Sequence, residues 1–273
     1  MREIAEHTGQ LDDQPVFWRS AAGDGTPVLY LHGVPTSSDE WPAFLTATGG
    51  IAPDLPGFGR SGKRGDRAYT MEFYADFLER FLELAGVDRV RLVVHDWGGV
   101  GLLWAMRHPE RVERLVVINT VPFLPGYRWH RWAKLWRLRF IGELAMGFTG
   151  PFVLRRGTRS SNATPGPMPA AWRKQVLEHL DEGTQRAILR LYRSSPETKL
   201  AAAGAGLGEL RCPALVVWGD RDPYIPAGFA DAYAEALGGE TRTLHLADAG
   251  HWPWLDRPDL IDEIAAFLQT PGQ

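Results

Sequence analysis

The chain has 273 residues, a length that suits one domain with an insertion. Its composition, with 44% hydrophobic and 23% charged residues, is typical of a globular protein. The formal net charge of −3 gives no reason to expect nucleic acid as a partner. A single cysteine, Cys212, excludes an intrachain disulfide and fits a reducing compartment. There is no apolar signal segment and no membrane-span-length apolar run, so we expect a soluble, cytoplasmic protein without stable membrane association. The oligomeric state stays open.

Short apolar runs alternate with longer helical patterns, which predicts an α/β fold with a mostly parallel sheet flanked by helices. The predicted strands are Val28–Leu31, Arg91–His95, Leu115–Asn119, Ala214–Trp218 and Thr241–Leu246. The predicted helices are Met71–Ala85, Gly98–Arg107, Ala227–Leu237 and Pro258–Leu268, with Pro258 at a first helical position. Ligands of such sheets bind beyond the carboxyl ends of the strands, so residues there are the first candidates for a site.

The alternation stops between residues 122 and 208, where helical patterns dominate and residues 160–169 form a loop rich in turn residues. We therefore predict a helical insertion at 122–208 and a core made of residues 1–121 and 209–273. Within the insertion, aromatic residues recur at three- and four-residue steps: Trp129, Trp132, Trp136 and Phe140. This spacing predicts one helix face turned towards the core or a pocket, with arginines outside. Attachment to a membrane surface is the alternative.

Three candidate reactive residues follow predicted strands in a meaningful order. Asp96 stands between an apolar strand and Trp97-Gly98-Gly99, the strand–turn–helix context of a nucleophile elbow whose usual residue is serine. Asp222 follows the strand ending at Trp218, and His251 follows the last strand. Each has a plain structural alternative. Asp96 could cap a helix, Asp222 could serve a turn with Asp220 as its rival acid, and His251 could be structural.

The sequence resembles the α/β-hydrolase superfamily over nearly its whole length, and specifically its epoxide hydrolase and haloalkane dehalogenase branch. The motifs that carry the resemblance are His32-Gly33-Val34-Pro35, residues 54–61 (Asp-Leu-Pro-Gly-Phe-Gly-Arg-Ser), His95-Asp96-Trp97-Gly98-Gly99 and Gly250-His251-Trp252. The Asp-Leu-Pro-Gly-Phe-Gly run is widespread in the superfamily, whereas the Asp-Trp-Gly-Gly elbow discriminates between branches. The resemblance implies that the insertion is a cap domain and that the active site lies between cap and core.

An aspartate nucleophile restricts the electrophile. A serine that attacks a saturated carbon forms an ether, which water does not cleave, whereas a carboxylate forms an alkyl ester that remains hydrolysable. Asp96 therefore predicts substrates that react at a saturated carbon bearing a leaving group. His251, oriented by Asp222, would activate the water that cleaves the ester. By resemblance, the backbone N–H groups of Val34 and Trp97 would form the oxyanion hole.

The leaving group separates two candidate activities. An epoxide needs a proton donor, and the segment Leu191-Tyr192-Arg193-Ser194 resembles the second-tyrosine motif of epoxide hydrolases, so Tyr192 is the predicted acid. Residues 137–150, where the first tyrosine is expected, contain none, and Tyr127 is the nearest substitute. The predicted substrate pocket comprises Tyr127, His32, Trp97 and Trp252.

A haloalkane dehalogenase is the alternative, because a halide needs N–H donors. Trp97 matches one donor of that family, but Val34 stands where an asparagine often supplies the other. A tryptophan of the insertion (Trp129, Trp132, Trp136 or Trp172) is then the substitute. We favour the epoxide hydrolase, acting on a small apolar organic substrate and water without metal or cofactor. A protein of this fold that binds a small molecule without turnover is the alternative from another class.

Overall fold

The computed structural model describes residues 2–270 as one eight-stranded sheet with helices around it. The strands are β1 (Ile4–Leu11), β2 (Gln14–Ala21), β3 (Val28–Leu31), β4 (Gly50–Pro53), β5 (Val90–Asp96), β6 (Val112–Thr120), β7 (Ala214–Gly219) and β8 (Thr241–Leu246). Their spatial order is β1-β2-β4-β3-β5-β6-β7-β8. β2 is antiparallel to both β1 and β4, and the other pairs are parallel.

Twelve α-helices lie within the described residues. They are α1 (Pro42–Thr48), α2 (Met71–Ala85), α3 (Val100–Arg107), α4 (Arg131–Arg137), α5 (Ile141–Gly147), α6 (Pro151–Gly157), α7 (Ala170–His179), α8 (Glu182–Ser194), α9 (Glu197–Ala203), α10 (Gly228–Ala236), α11 (Pro253–Asp256) and α12 (Leu260–Gln269). None of them is long and apolar enough to cross a membrane.

The predicted mostly parallel α/β sheet is confirmed, and its five predicted strands are present as β3, β5, β6, β7 and β8. The central strands are buried along their length because helices cover both faces of the sheet, which explains their continuous apolar sequences. β1, β2 and β4 were not predicted. β1, the edge strand, has only exposed and half-buried residues, β2 beside it mixes buried and exposed ones, and β4 has only four residues.

Two predicted helix starts are wrong. The helix after Asp96 begins as a 3-10 turn at Trp97–Gly99 before α3, because the chain must turn sharply out of β5. α12 begins at Leu260, with Asp259 at its N-cap position, so Pro258 precedes the helix in a turn instead of opening it.

The chain between β6 and β7 contains six α-helices and no strand within the described residues. These helices, α4 to α9, fall inside the predicted insertion at 122–208 (hereafter the insertion). Because β3, β5, β6 and β7 run parallel, the loops at their carboxyl ends share one edge of the sheet, and the insertion leaves from that same edge. The fold therefore places Val34, Asp96, Asn119 and Asp222 at one edge, next to the insertion.

Candidate active site

Asp96 is the last residue of β5 and has a backbone conformation that L-residues rarely adopt, with φ 47° and ψ −121°. Such strain persists only where the surrounding structure enforces it, and it is characteristic of a nucleophile elbow. Close approach of the backbone explains the glycine that follows Trp97. A Cβ at Gly98 would stand 2.1 Å from the carbonyl oxygen of Leu31 in β3. The sharp turn after β5 therefore combines a strained backbone at Asp96 with a glycine at position 98.

The two carboxylate oxygens of Asp96 have different surroundings. Oδ2 accepts a hydrogen bond of 2.8 Å from the backbone N–H of Val34, and the backbone N–H of Trp97 also stabilises the charged form. Oδ1 lies 3.8 Å from Nε2 of His251. Gly33 makes the close contact possible, because a Cβ there would stand 2.6 Å from Oδ2. Oδ2 is therefore held by the backbone N–H of Val34, and Oδ1 faces the histidine.

His251 and Asp222 form a buried pair. Nδ1 of His251 lies 2.6 Å from Oδ2 of Asp222, and the side chain of Asn119 donates a 2.8 Å hydrogen bond to the same oxygen. The backbone N–H groups of Tyr224 and Ile225 donate to Oδ1 of Asp222. All four donors fix the carboxylate, so Nδ1 of His251 carries its proton towards Asp222 and Nε2 faces Asp96.

Asp220, the rival candidate for the acid, lies elsewhere. Its carboxylate contacts Nδ1 of His245 at 2.7 Å, on the surface of the protein. The structure thus brings together Asp96, His251 and Asp222, and separates Asp220 from them.

Burial and neighbouring charges shift the pKa values of Asp96 and His251 in opposite directions. Burial raises the pKa of Asp96, although the charges of His251 and His95 and the backbone N–H of Val34 oppose the rise. Burial lowers the pKa of His251, but the carboxylates of Asp222 and Asp96 outweigh it and raise this pKa above its usual value. Each group therefore favours the charged form of the other, and loss of the Asp96 charge would make His251 less basic.

A cavity of about 120 Å³ opens beside these residues, between the sheet edge and the insertion. The core contributes Val34, Asp96, Tyr224, His251 and Trp252 to its wall. The insertion contributes aromatic and aliphatic side chains from α4, α5, α6 and α8 and from the segment before α4. Within residues 2–270, no group of three His, Cys, Asp or Glu side chains is arranged to hold a metal ion.

Both tyrosines predicted for the site, the acid Tyr192 and the pocket residue Tyr127, line the cavity. Tyr192 lies on α8 and packs edge-on against Trp97 and Trp136, and the indole N–H of Trp97 lies close to its hydroxyl. Burial raises its pKa well above 10, as does the nearby charge of Asp96, so the hydroxyl keeps its proton at neutral pH. Tyr127 also lines the cavity, but its hydroxyl donates to the backbone oxygen of Tyr224 at 3.4 Å.

Two other predicted pocket residues do not line the cavity. One ring nitrogen of His32 contacts the backbone oxygen of Gly33 and the other accepts from the backbone N–H of Leu55, so this side chain orders its loop. Trp97 lies behind the wall, stacked on Trp129. Its indole N–H has no hydrogen-bond partner of good geometry, although it lies close enough to the Tyr192 hydroxyl to oppose the rise in that group's pKa.

The aromatic segment of the insertion is only partly as predicted. Trp129, Trp132 and Trp136 line the cavity, but α4 ends at Arg137 and Phe140 lies beyond it in a left-handed conformation, with 72% of its side chain exposed. Phe140 is therefore not part of the inward face. Trp172 also lies outside this cavity, in the wall of a smaller pocket.

Sequence reasoning missed His130, which lines the cavity next to Tyr192 and Tyr224. Its Nδ1 accepts a hydrogen bond from the backbone N–H of Ala133 and so caps α4, which leaves Nε2 as the protonated nitrogen. Burial, and then the charge of His251, lower its pKa to about 4. His130 is therefore a neutral N–H donor in the cavity. The signal in the sequence was a histidine directly before a basic, aromatic helix.

Comparison with known proteins identifies the family of the chain. A family model described as alpha/beta hydrolase fold matches residues 26–147. A cis-3-alkyl-4-alkyloxetan-2-one decarboxylase of Shewanella oneidensis is 40% identical, over 90% of this chain and 83% of the relative. A haloalkane dehalogenase of Mycolicibacterium paratuberculosis is 30% identical, over 95% of this chain and 87% of the relative.

Solved structures extend the likeness to the whole fold. The epoxide hydrolase CorEH has a TM-score of 0.84 at 20% identity, over 99% of this chain and 100% of that one, a likeness of fold alone. These two curated relatives are similar over nearly the full chain, and the mostly parallel sheet flanked by helices agrees with the predicted fold. The chain is a member of the α/β-hydrolase superfamily, in the branch that contains haloalkane dehalogenases and epoxide hydrolases.

Proposed function

We propose that this protein hydrolyses epoxides through an alkyl ester formed on Asp96. The observation that carries the proposal is the set of donors that share the cavity with Asp96. These are the protonated hydroxyl of Tyr192 and the neutral imidazole of His130, which suit an oxygen leaving group. The indole N–H of Trp97, which a halide would need, lies close to the Tyr192 hydroxyl, and Trp97 is not among the residues of the cavity wall.

In the first step, Oδ1 of Asp96 bonds to one carbon of the epoxide and the carbon–oxygen bond of the ring breaks. Oδ2 stays in its hydrogen bond with Val34, so the carboxylate is already oriented for attack. The oxygen that leaves becomes an alkoxide, and Tyr192 donates a proton to it. The apolar wall of the cavity excludes water, which strengthens both interactions.

In the second step, water cleaves the ester. Nε2 of His251 takes a proton from the water, whose oxygen attacks the Asp96 carboxyl carbon. The negative charge that develops on Oδ2 is held by the N–H groups of Val34 and Trp97, which contact this carboxylate in the resting enzyme. The bond from the carboxyl carbon to Oδ1 then breaks, and the departing alkoxide takes the proton that remained on the attacking water oxygen, so the diol leaves and Asp96 is again a carboxylate. The proton on His251 is passed on to restore Tyr192.

Haloalkane dehalogenation is the second candidate, because a relative of that name is similar over 95% of the chain. The same aspartate chemistry would apply, with a halide as the leaving group. The indole of Trp129 already donates to the backbone oxygen of Ser195, so Trp132 and Trp136 would have to supply the halide donors.

The name of the Shewanella oneidensis relative contains an oxetan-2-one. Like an epoxide, an oxetan-2-one is a strained ring that opens to give an oxygen anion. Such a ring fits a cavity whose donors are a hydroxyl and an imidazole, and it belongs in the same substrate panel. The proposal therefore predicts activity on strained oxygen rings in preference to bromoalkanes.

Replacing Tyr192 by Phe tests the leaving group. We expect turnover of styrene oxide to fall by about 10²–10⁴, because the alkoxide loses its proton donor. Any halide release from bromobutane should fall by less than about tenfold, since a halide needs no proton. Diol and bromide are measured by chromatography on the same preparations.

Tyr127→Phe is the matched comparison, because Tyr127 lines the same cavity with its hydroxyl bound to a backbone oxygen. It should cost much less diol formation than Tyr192→Phe. Full diol formation by Tyr192→Phe would contradict the assigned acid, and bromide release far above diol formation in the wild type would favour the dehalogenase.

His130→Ser tests the second donor. Serine caps helices as histidine does here, so α4 keeps its N-terminal hydrogen bond while the cavity loses an N–H. We expect kcat on styrene oxide to fall by about tenfold, roughly the effect of one neutral hydrogen bond to the alkoxide, and the thermal midpoint to stay unchanged. A variant with lower stability and unaltered kcat would assign His130 to capping alone.

A further inference from the structure

The exposed large apolar side chains of the described residues are concentrated in one short stretch of the insertion. Six of the seven lie between residues 138 and 152, and Leu84 is the other. The six, hereafter the apolar patch, are Leu138, Phe140, Ile141, Leu144, Phe148 and Phe152. Phe148 and Phe152 expose 76% and 78% of their side chains. Scattered apolar residues are normal on a protein surface, but a concentration of this kind marks an interaction surface.

Helix geometry makes the patch continuous. Ile141, Leu144 and Phe148 follow one another at three- and four-residue steps along α5 and its end, so they share a face. Phe152 follows at the start of α6. The opposite sides of the same two helices line the cavity, through Met146 of α5 and Leu154 of α6. α5 and α6 therefore form a thin wall with the cavity on one side and the patch on the other.

The surroundings of the patch are strongly basic. Residues 128–159 contain eight Arg or Lys and one acidic residue, Glu143, whereas the whole chain has a net charge of −3. Glu143 is paired with Arg193. Seven of the eight basic side chains are exposed, among them Arg139, Arg155 and Arg156. The guanidinium group of Arg139 lies over the ring of Phe140, so charge and aromatic surface are presented together.

We propose that the apolar patch and its basic rim dock this protein on an anionic lipid surface. Aromatic and aliphatic side chains that enter the headgroup region, with arginines at its edge, are the combination that peripheral lipid-binding surfaces use. A second copy of the chain is a poorer occupant. A symmetric dimer through this face would bring the two basic rims together and leave like charges opposed.

This attachment departs from the expectation, based on composition, of no stable membrane association. The sequence interpretation placed Phe140 on an inward face and did not detect the outward apolar face of residues 138–152. Under the function proposed above, a lipophilic epoxide dissolved in the bilayer would lie just across α5 and α6 from the cavity. Vesicle binding does not depend on turnover, so an experiment can contradict the proposed docking surface without contradicting the proposed activity, and the reverse.

Co-flotation with vesicles tests the docking. Vesicles of phosphatidylcholine alone are compared with vesicles that contain about one-third phosphatidylglycerol. We expect binding to the anionic vesicles, weakened by salt, and little binding to the neutral ones. The double variant Phe148→Glu/Phe152→Glu should bind at least about tenfold more weakly, and so should Arg155→Glu/Arg156→Glu. Leu84→Glu, at the exposed apolar residue outside the patch, should bind like the wild type.

Thermal unfolding shows that each variant is folded before its binding is compared. Equal binding to neutral and anionic vesicles, or wild-type binding by either double variant, would overturn the proposal. So would a lipid-free dimer in size-exclusion chromatography that Phe148→Glu/Phe152→Glu converts to a monomer, because the patch would then be an interface between two copies of this chain.

Discussion

His251→Gln should stop turnover and leave the substrate attached to Asp96. The amide of Gln takes no proton from water, so the ester formed in the first step persists while Oδ1 of Asp96 still attacks. We expect turnover of styrene oxide to fall by about 10⁴ or more. Intact-protein mass spectrometry should show an increase equal to the full mass of the epoxide, because ring opening loses no atom.

The double variant Asp96→Asn/His251→Gln is the matched control, and its mass should not change. Peptide mapping of the single variant should locate the adduct at Asp96. Unmodified protein that binds styrene oxide tightly would instead support the alternative of a small-molecule-binding protein without turnover. Continued diol formation by His251→Gln would contradict a role for this histidine in ester hydrolysis.

The sequence predicted the central sheet and the three residues that meet at its edge because both depend on local patterns. An apolar strand followed by Asp96-Trp97-Gly98-Gly99 indicates the sharp turn after β5, because the close contact with β3 requires a glycine at position 98. The choice between Asp222 and Asp220 is different. The two lie two residues apart in one turn, and only the folded turn shows which side chain reaches His251.

The contents of the cavity were less predictable, because they depend on how the insertion packs on the core. The spacing of Trp129, Trp132 and Trp136 indicated a common direction, but it did not reveal that α4 ends before Phe140. Burial of Trp97 behind Tyr192 and Trp129 is a tertiary contact with no local signal. His130 was missed for the same reason, since its role follows from the tautomer that the cap of α4 selects.

Asp222→Asn should separate the two chemical steps. Oδ1 of Asp222 accepts from two backbone N–H groups, so the oxygen of the new amide will stay there and its NH₂ group will replace Oδ2. That NH₂ group then faces Nδ1 of His251 and the NH₂ group of Asn119. The side chain of Asn119 keeps its orientation, because its oxygen accepts a hydrogen bond from the backbone N–H of Gly219. His251 is forced into the tautomer with its proton on Nε2, where it cannot take a proton from water.

We therefore expect ester hydrolysis to fall by about 10³–10⁴, as when an analogous aspartate orients a catalytic histidine, while alkylation of Asp96 slows by less than about tenfold. Rapid-quench measurement should show a burst of bound substrate followed by slow diol release. The Asp222 carboxylate raises the pKa of His251, so its loss lowers that pKa and moves the acid limb of the residual kcat to lower pH. Asp220→Asn, whose side chain contacts His245 instead, should keep wild-type kinetics. Equal losses in both steps, or an acid limb that stays in place, would mean that Asp222 supports the site only through stability.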